Sequence, residues 1–443
     1  MGRYERHVRA DGSGSTELRQ HVLVASPGAG QSPVLSRVGE GVFERGSRRL
    51  EEFRGGVPES AVIIPFLSWE GVSPAGEIIV RKLHRFVLAV GLVLSFMLFA
   101  PPRPAWAKWY LLASTQPNNL VVVDTETDTI VKDIALEGKG PAMNIATNPA
   151  RPQYAYVVNN LARSVVMVDL DEGKQVASFP LSNDNELVRT MAIDVNEQGT
   201  RLFIHEMPIK KGVGGYEAQA NRIRVIDLNT NKTLRTIPAP RQVMSLASSK
   251  DGKRLYAFSV GQDIAVFDIE QGKQIDTIPL LNRNITGIAR TDGLPVFNLY
   301  QEYDHVLSFG TITTDAFSGK MTLGIGSLDL KQAEPELKLT ELQPFTAEHY
   351  VLTGALGLQD KKAYFSYNDL WRVDLQTRRI EKSVPLPNTY FAPLMHPEGK
   401  KLYCGSNWSD VAVFDPDTLA LLKKIPLGHT QSGSGSGLRF VKR

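Results

Sequence analysis

From Lys108 onward, short apolar runs and polar turns alternate, and the alternation repeats. The text LVVVDTETDTIVKDIAL at Leu120 returns as VVMVDLDEGKQVASFPL at Val165, IRVIDLNTNKTLRTIPA at Ile223 and IAVFDIEQGKQIDTIPL at Ile264. It returns again at Leu323, Leu370 and Val411. Each copy is an apolar run ending in Asp, a polar turn, then a run in which every other residue is apolar, which is the period of a strand with one buried face. The recurring residues are Asp124, Asp169, Asp227, Asp268, Asp329, Asp374 and Asp415, at intervals of 45, 58, 41, 61, 45 and 41.

A second unit lies between the copies: a turn followed by an aromatic-rich strand, as in EQGTRLFIHE after Asn196, DGKRLYAFS after Lys250 and PEGKKLYCGSN after His396. Asp-Gly and Glu-Gly pairs suit tight hairpins. One full unit is thus four short antiparallel strands, and Lys108 to Arg443 divides into seven of about 48 residues. The expected fold is all-β, a seven-bladed β-propeller of four-stranded antiparallel blades. KWYLLAS at Lys108 matches the second strand of a blade and GLRFVKR at Gly437 matches a first strand, so N- and C-terminal strands are expected to share one blade and close the ring.

The preceding residues have a different character. Residues 1–79 are Arg, Gly, Ser and Glu without sustained period, read as a mis-called or disordered leader. Arg81, Lys82, His84 and Arg85 then precede a 15-residue apolar run, Phe86 to Ala100, and Ala105-Trp106-Ala107 offers small residues for cleavage. That order is a secretory signal over 80–107, shorter than the roughly 20 residues of a spanning helix. A start at Val80 on a GTG codon would make 1–79 upstream read-through. The propeller, 108–443, is expected in the periplasm.

Composition narrows the chemistry. Fifty Lys+Arg against 47 Asp+Glu give +3, no field for nucleic acid. The single cysteine, Cys404, rules out a disulfide framework, a thiolate zinc cluster and thioether-linked haem, each needing at least two. It falls inside an aromatic strand and reads as a small buried residue. Trp371 and Trp408 read as packing residues. The Asp column reads as turn capping rather than catalysis. His205, His305, His349, His396 and His429 are scattered without close ligand spacing, and the densest titratable group is Glu302 with Asp304 and His305.

Two units exceed the repeat, by insertions around Met207 to Asn221 and Tyr300 to Lys320, the natural places for binding surfaces. The connections from one unit to the next carry Asn144, Arg189, Arg241, Gln242, Asn284, Tyr350 and the segment VPLPNTYFAP from Val384. They form either a polar binding mouth or plain hydrated surface.

The Asp-turn-strand units resemble the bacterial YVTN-type propellers. More specifically, residues 108–443 are similar to the β subunit family of quinohemoprotein amine dehydrogenase. The likeness is carried by KWYLLAS followed by LVVVDTE, by APRQ at Ala239 before KDGKRLYAF, by VPLPNTYF, by the two long units and by GLRFVKR. It implies a periplasmic heterotrimer oxidising primary amines to aldehyde and ammonia. In it a small γ subunit carries cysteine tryptophylquinone, a larger α subunit carries two c-type haems, and the propeller carries no cofactor. The propeller then cradles the small subunit and walls the amine pocket. The interface candidates are Arg241, Gln242, Tyr303, Asn388, Tyr390 and Phe391, with no catalytic and no metal residue on this chain. The competing reading is a stand-alone periplasmic binding module, or less well a lactonase-type hydrolase. The heavy subunit of methylamine dehydrogenase shares the fold but less of the pattern.

Overall fold

The computed structural model describes residues 107–259, 263–279, 305–314, 321–345, 351–357, 362–390, 392–405, 408–431 and 437–443. The leader and nearly all of the signal expected before Lys108 lie outside these residues, as do Asn284, Glu302, Tyr303, Asp304, His349, Tyr350 and Phe391.

The described elements are all strands, in antiparallel pairs, gathered into seven sheets. The second sheet shows the unit at its plainest: Ile145–Thr147, Tyr154–Asn159, Ser164–Asp169 and Lys174–Pro180 lie side by side in chain order. The fourth (Val243–Ser248 to Lys273–Ile278), sixth (Val351–Leu356 to Arg379–Pro385) and seventh (Ala392–Met395 to Leu421–Pro426) repeat it. In the fifth, three strands are described: Val306–Thr314, Met321–Asp329 and Lys338–Phe345. The first sheet is shared between distant parts of the chain. Trp109–Gln116, Asn119–Asp124 and Thr129–Ala135 are joined by Leu438–Lys442, which pairs with Trp109–Ala113 on its inner side. Lys108 and Arg443 exchange backbone bonds of 2.6 and 2.8 Å beyond that ladder.

Repetition of sequence becomes repetition of packing. One or two residues after the start of the second strand of a sheet stands a large side chain, Tyr156, Phe203, Tyr256, Tyr364 or Tyr403, each at most 1% exposed. These rings help fill apolar cores that lie between sheets. One core joins the first and second sheets, others join each consecutive pair, and one joins the seventh back to the first, where Tyr403, Val411 and Val413 meet Leu111, Val121 and Phe440. No single sheet closes on itself; the cycle is made of cores between open sheets. At about 1.5–3 kcal/mol per fully buried large apolar side chain, these interfaces are the main source of stability.

Polar bonds tie the innermost strands across the same seams. Thr147 donates to the Phe440 carbonyl (3.2 Å), Arg439 Nε to the Ile145 carbonyl (3.0 Å), and Asp194 accepts from the Ser248 amide (2.6 Å). The recurring Asp residues take the capping role expected of them. Asp124 accepts from the amides of Glu126 and Thr127, Asp169 from Asp171 and Glu172, Asp374 from Gln376 and Thr377, and Asp415 from Asp417 and Thr418. Asp227 accepts from the Asn229 amide, Asp268 from that of Gln271 and Asp329 from that of Lys331.

The first insertion is not an irregular loop. Arg201–Gly212, 12 residues long, runs on past its blade from Met207, turns through Val213-Gly214 and returns as Gly215–Ala218. Glu186–Arg189 flanks it on the other side, so an accessory three-stranded sheet stands on the third sheet. The second insertion also continues its strands: Val306–Thr314 and Met321–Asp329 pair over nine residues.

Candidate functional site

Antiparallel topology sorts the connections onto two faces. Within each sheet, the turn joining the two middle strands opens on the same side as the link to the next sheet. The Asp turns open on the opposite side. Both extended hairpins and the described inter-sheet links therefore share one face, the connection face.

Exposed apolar residues follow that division. Among the described residues, large exposed apolar side chains lie either on outermost strands, as Ile130 and Leu421 do, or on the connection face. On that face they are Leu161, Val213, Tyr216 and Trp408. None is on the Asp-turn face. Leu161 sits in an unusual turn: Asn160, Leu161 and Ala162 are consecutive left-handed residues with φ of 55°, 59° and 63°. Each departs from the preferred backbone region of an L-residue, at a cost of order 1 kcal/mol or more.

The interface candidates occupy different depths. Asn388 is half-buried, and next to it the Thr389 carbonyl accepts from Trp408 Nε1 at 3.2 Å while the Thr389 hydroxyl donates to Asn368 Oδ1 at 2.9 Å. Here the structure gathers an Asn/Thr/Trp cluster that the sequence did not single out. Tyr390 belongs to the core instead. Its ring is 0% exposed between the sixth and seventh sheets, and its hydroxyl donates to Asp410 at 2.9 Å. Burial raises its pKa first, and the bond to Asp410 adds to it. As a surface contact Tyr390 is therefore corrected: it fixes the Asn388 loop from beneath. Arg241 and Gln242 are exposed in the link between the third and fourth sheets, three links round the ring from Asn388, so the structure does not bring the two groups together. Of the other expected mouth residues, Asn144 is buried and donates to the Met191 carbonyl, while Arg189 lies on the accessory sheet.

Beneath Arg241 lies a buried polar group. The Pro240 carbonyl can only accept, so His205 Nε2, 3.2 Å away, carries the proton. Burial holds His205 down at about 4, so it is neutral. Its neighbour Glu206 is fully buried between Arg222 Nε and Arg224 Nε, each at 2.5 Å, and Arg222 also reaches Glu186 at 2.8 Å. This ion network joins all parts of the hairpin root. His305 pairs with Glu197 (3.0 Å) and His429 with Asp133 (2.7 Å). Cys404 is fully buried and burial pushes its thiol up. Among the described residues no three His, Cys, Asp or Glu side chains gather as metal ligands.

No family model and no curated protein matches the chain. Solved structures resemble it at low identity. A hydrazine synthase of Kuenenia stuttgartiensis is 16% identical with a TM-score of 0.48, over 67% of this chain and 89% of that one. A functionally unknown protein of Desulfotomaculum acetoxidans DSM 771 is 14% identical with a TM-score of 0.49, over 74% and 98%. The β-propeller domain of Myceliophthora thermophila Cps50 (Swd1) is 11% identical with a TM-score of 0.49, over 67% and 89%. Likeness of this depth says nothing of a shared activity.

Proposed function

We propose that this chain is the propeller subunit of a periplasmic quinohemoprotein amine dehydrogenase. It holds a small quinone-bearing subunit and a di-haem cytochrome c subunit against its connection face and walls the pocket where primary amines become aldehyde and ammonia. The observation that carries the reading is the asymmetry of the two faces: exposed apolar and aromatic side chains and two strand-built extensions on one, capped Asp turns on the other. An exposed apolar-aromatic surface on a rigid ring is the character of a protein interface. Of the sequence phrases that resemble the β subunit family, APRQ and the described part of VPLPNTYF lead into links on that same face.

The chain's own chemistry fits a holder better than a cofactor carrier. Its sole thiol is buried, and thioether attachment of haem takes two. The quinone and haems, carried by the partners, supply the redox step. This chain's residues orient the small subunit, exclude water from the pocket and keep the seam rigid.

The test is recovery of the tagged protein from the periplasm of cells grown on a primary amine, with the tag spaced from the strand Leu438–Lys442. A haem-staining band and a small redox-cycling quinone band should co-purify in stoichiometric amount. A lone colourless propeller would sink the dehydrogenase reading and favour the stand-alone binding module, which the same exposed face would also serve.

A further inference from the structure

Two strained segments stand on the connection face. Of the non-glycine residues with positive φ, Asp128, Asn231, Arg378 and Leu419 each follow a recurring Asp by four, where Gly173 and Gly272 stand in other copies. The Asp turn itself demands them. His305 lies on the Asp-turn face, just before Val306, which pairs with Asp329. That leaves Asn160, Leu161 and Ala162 in the second sheet, and Gln242 (φ 55°) in the link from the third sheet to the fourth. Strain kept outside an architectural turn is a mark of binding sites.

One chain of buried hydrogen bonds fastens both segments to the same core. The Ala162 carbonyl accepts from the Thr190 amide at 2.8 Å. The Thr190 hydroxyl donates at 3.2 Å to the Ala192 carbonyl, which also accepts from the His205 amide at 3.0 Å. His205 Nε2 then donates to the Pro240 carbonyl, beside Arg241 and Gln242. Thr190 and His205 are both 0% exposed, so the two segments are preorganised from beneath.

The charge beside these segments is cationic. Arg163 follows Ala162, Arg189 precedes Thr190 and Arg241 follows Pro240, and none of the three guanidinium groups bonds to a described residue. Arg163 Nε is buried without a partner. Of the acids in the link 181–192, Glu186 is taken by Arg222 and only Asp184 is left against the three cations. Leu161 adds an exposed apolar side chain and Gln242 an exposed amide. Guanidinium forks match carboxylates with two parallel bonds.

We propose that the connection face over the second, third and fourth sheets docks an acidic patch of a partner protein. Its carboxylates pair with Arg163, Arg189 and Arg241, the Gln242 amide donates to one of them, and an apolar residue covers Leu161. A second copy presenting the same segments would set cation against cation. The assignment goes beyond the dehydrogenase reading, since it holds for any acidic protein partner.

The experiment treats the tagged full chain carrying Arg189→Lys or Arg241→Lys, in an extract of the cells that make it, with a zero-length carbodiimide. That reagent joins an amine only to a carboxylate it touches. Mass spectrometry should find the introduced amine joined to an Asp or Glu of a different polypeptide. That polypeptide, purified, should bind the unsubstituted chain with an affinity lowered about tenfold by Arg189→Glu combined with Arg241→Glu. Gln242→Gly relaxes the left-handed backbone and should melt no lower than wild type, yet weaken binding; a link with a purely structural role would keep its affinity. The proposal is overturned by recovery of the chain alone, by cross-links confined to other lysines or to a second copy, or by an affinity that neither variant alters. A cross-linked partner free of haem and quinone would uphold this site and sink the dehydrogenase reading. Dehydrogenase subunits joined only elsewhere would do the reverse.

Discussion

Two histidines are held uncharged inside the ring, and their effect on stability has a definite sign. His396 packs against Phe440 and Tyr403, with ring centroids 5.3 and 6.3 Å away; its Nδ1 accepts from the Glu398 amide and its Nε2 donates to Thr125. Burial holds both His396 and His205 at about 4, against about 6.5 when unfolded. Between those values the unfolded chain binds more protons, so stability present at pH 7 is lost as pH falls from about 6.5 toward 4. In His396→Asn, the loss of unfolding free energy between pH 7 and pH 5, read from urea titrations, should shrink by about 1–2 kcal/mol. An unchanged slope would mean that His396 titrates normally. None of this is legible in the sequence, where the histidines are only scattered. Tyr390 teaches the same limit: its place after a Pro-x-Pro segment locates the loop, but which way a ring turns is decided by the neighbouring sheet.

Elements were far easier to read than side-chain direction. The Asp-turn-strand phrase encodes its own capping, because a carboxylate at a strand end meets the turn amides two and three residues on. Asp124→Ala removes the acceptor of the Glu126 amide, 2.8 Å away, and of the Thr127 amide. It should cost about 1–3 kcal/mol, measured by chemical denaturation, with Asp124→Asn recovering most of the loss because Oδ1 still accepts. Equal losses in the two variants would mean that charge, through Lys108, dominates instead. The first insertion was hidden because IHEMPIKK lacks period-two alternation and contains Pro208, which cannot donate. It nonetheless stays in the ladder, since Val188 opposite supplies apolar burial and the Gly-rich tip allows the return.

At the scale of the molecule, repetition and matching terminal phrases announced both the sheets and the sharing of one sheet by distant strands. They did not announce which face would carry the apolar residues, since that depends on which links are long and on how far their strands continue. Deleting residues 437–443 removes Leu438, Phe440 and Val441, all at most 4% exposed, together with the strand that covers Trp109–Ala113. At about 2 kcal/mol each the lost burial is of order 6 kcal/mol, comparable with the whole stability of many domains. The truncated protein should show no cooperative melt near the wild-type temperature, and one that melts like wild type would disprove closure by this strand. The same pairing sets a timetable for synthesis. Ser114 and its partner Gly437 are separated by 323 residues. At 5–20 residues per second, roughly 15–60 s pass between the making of one and the other. Throughout that interval the first sheet lacks its inner strand, and the nascent chain is an arc with an open apolar face at each end. Until the late strand arrives, this protein depends on whatever shields unfinished chains from one another.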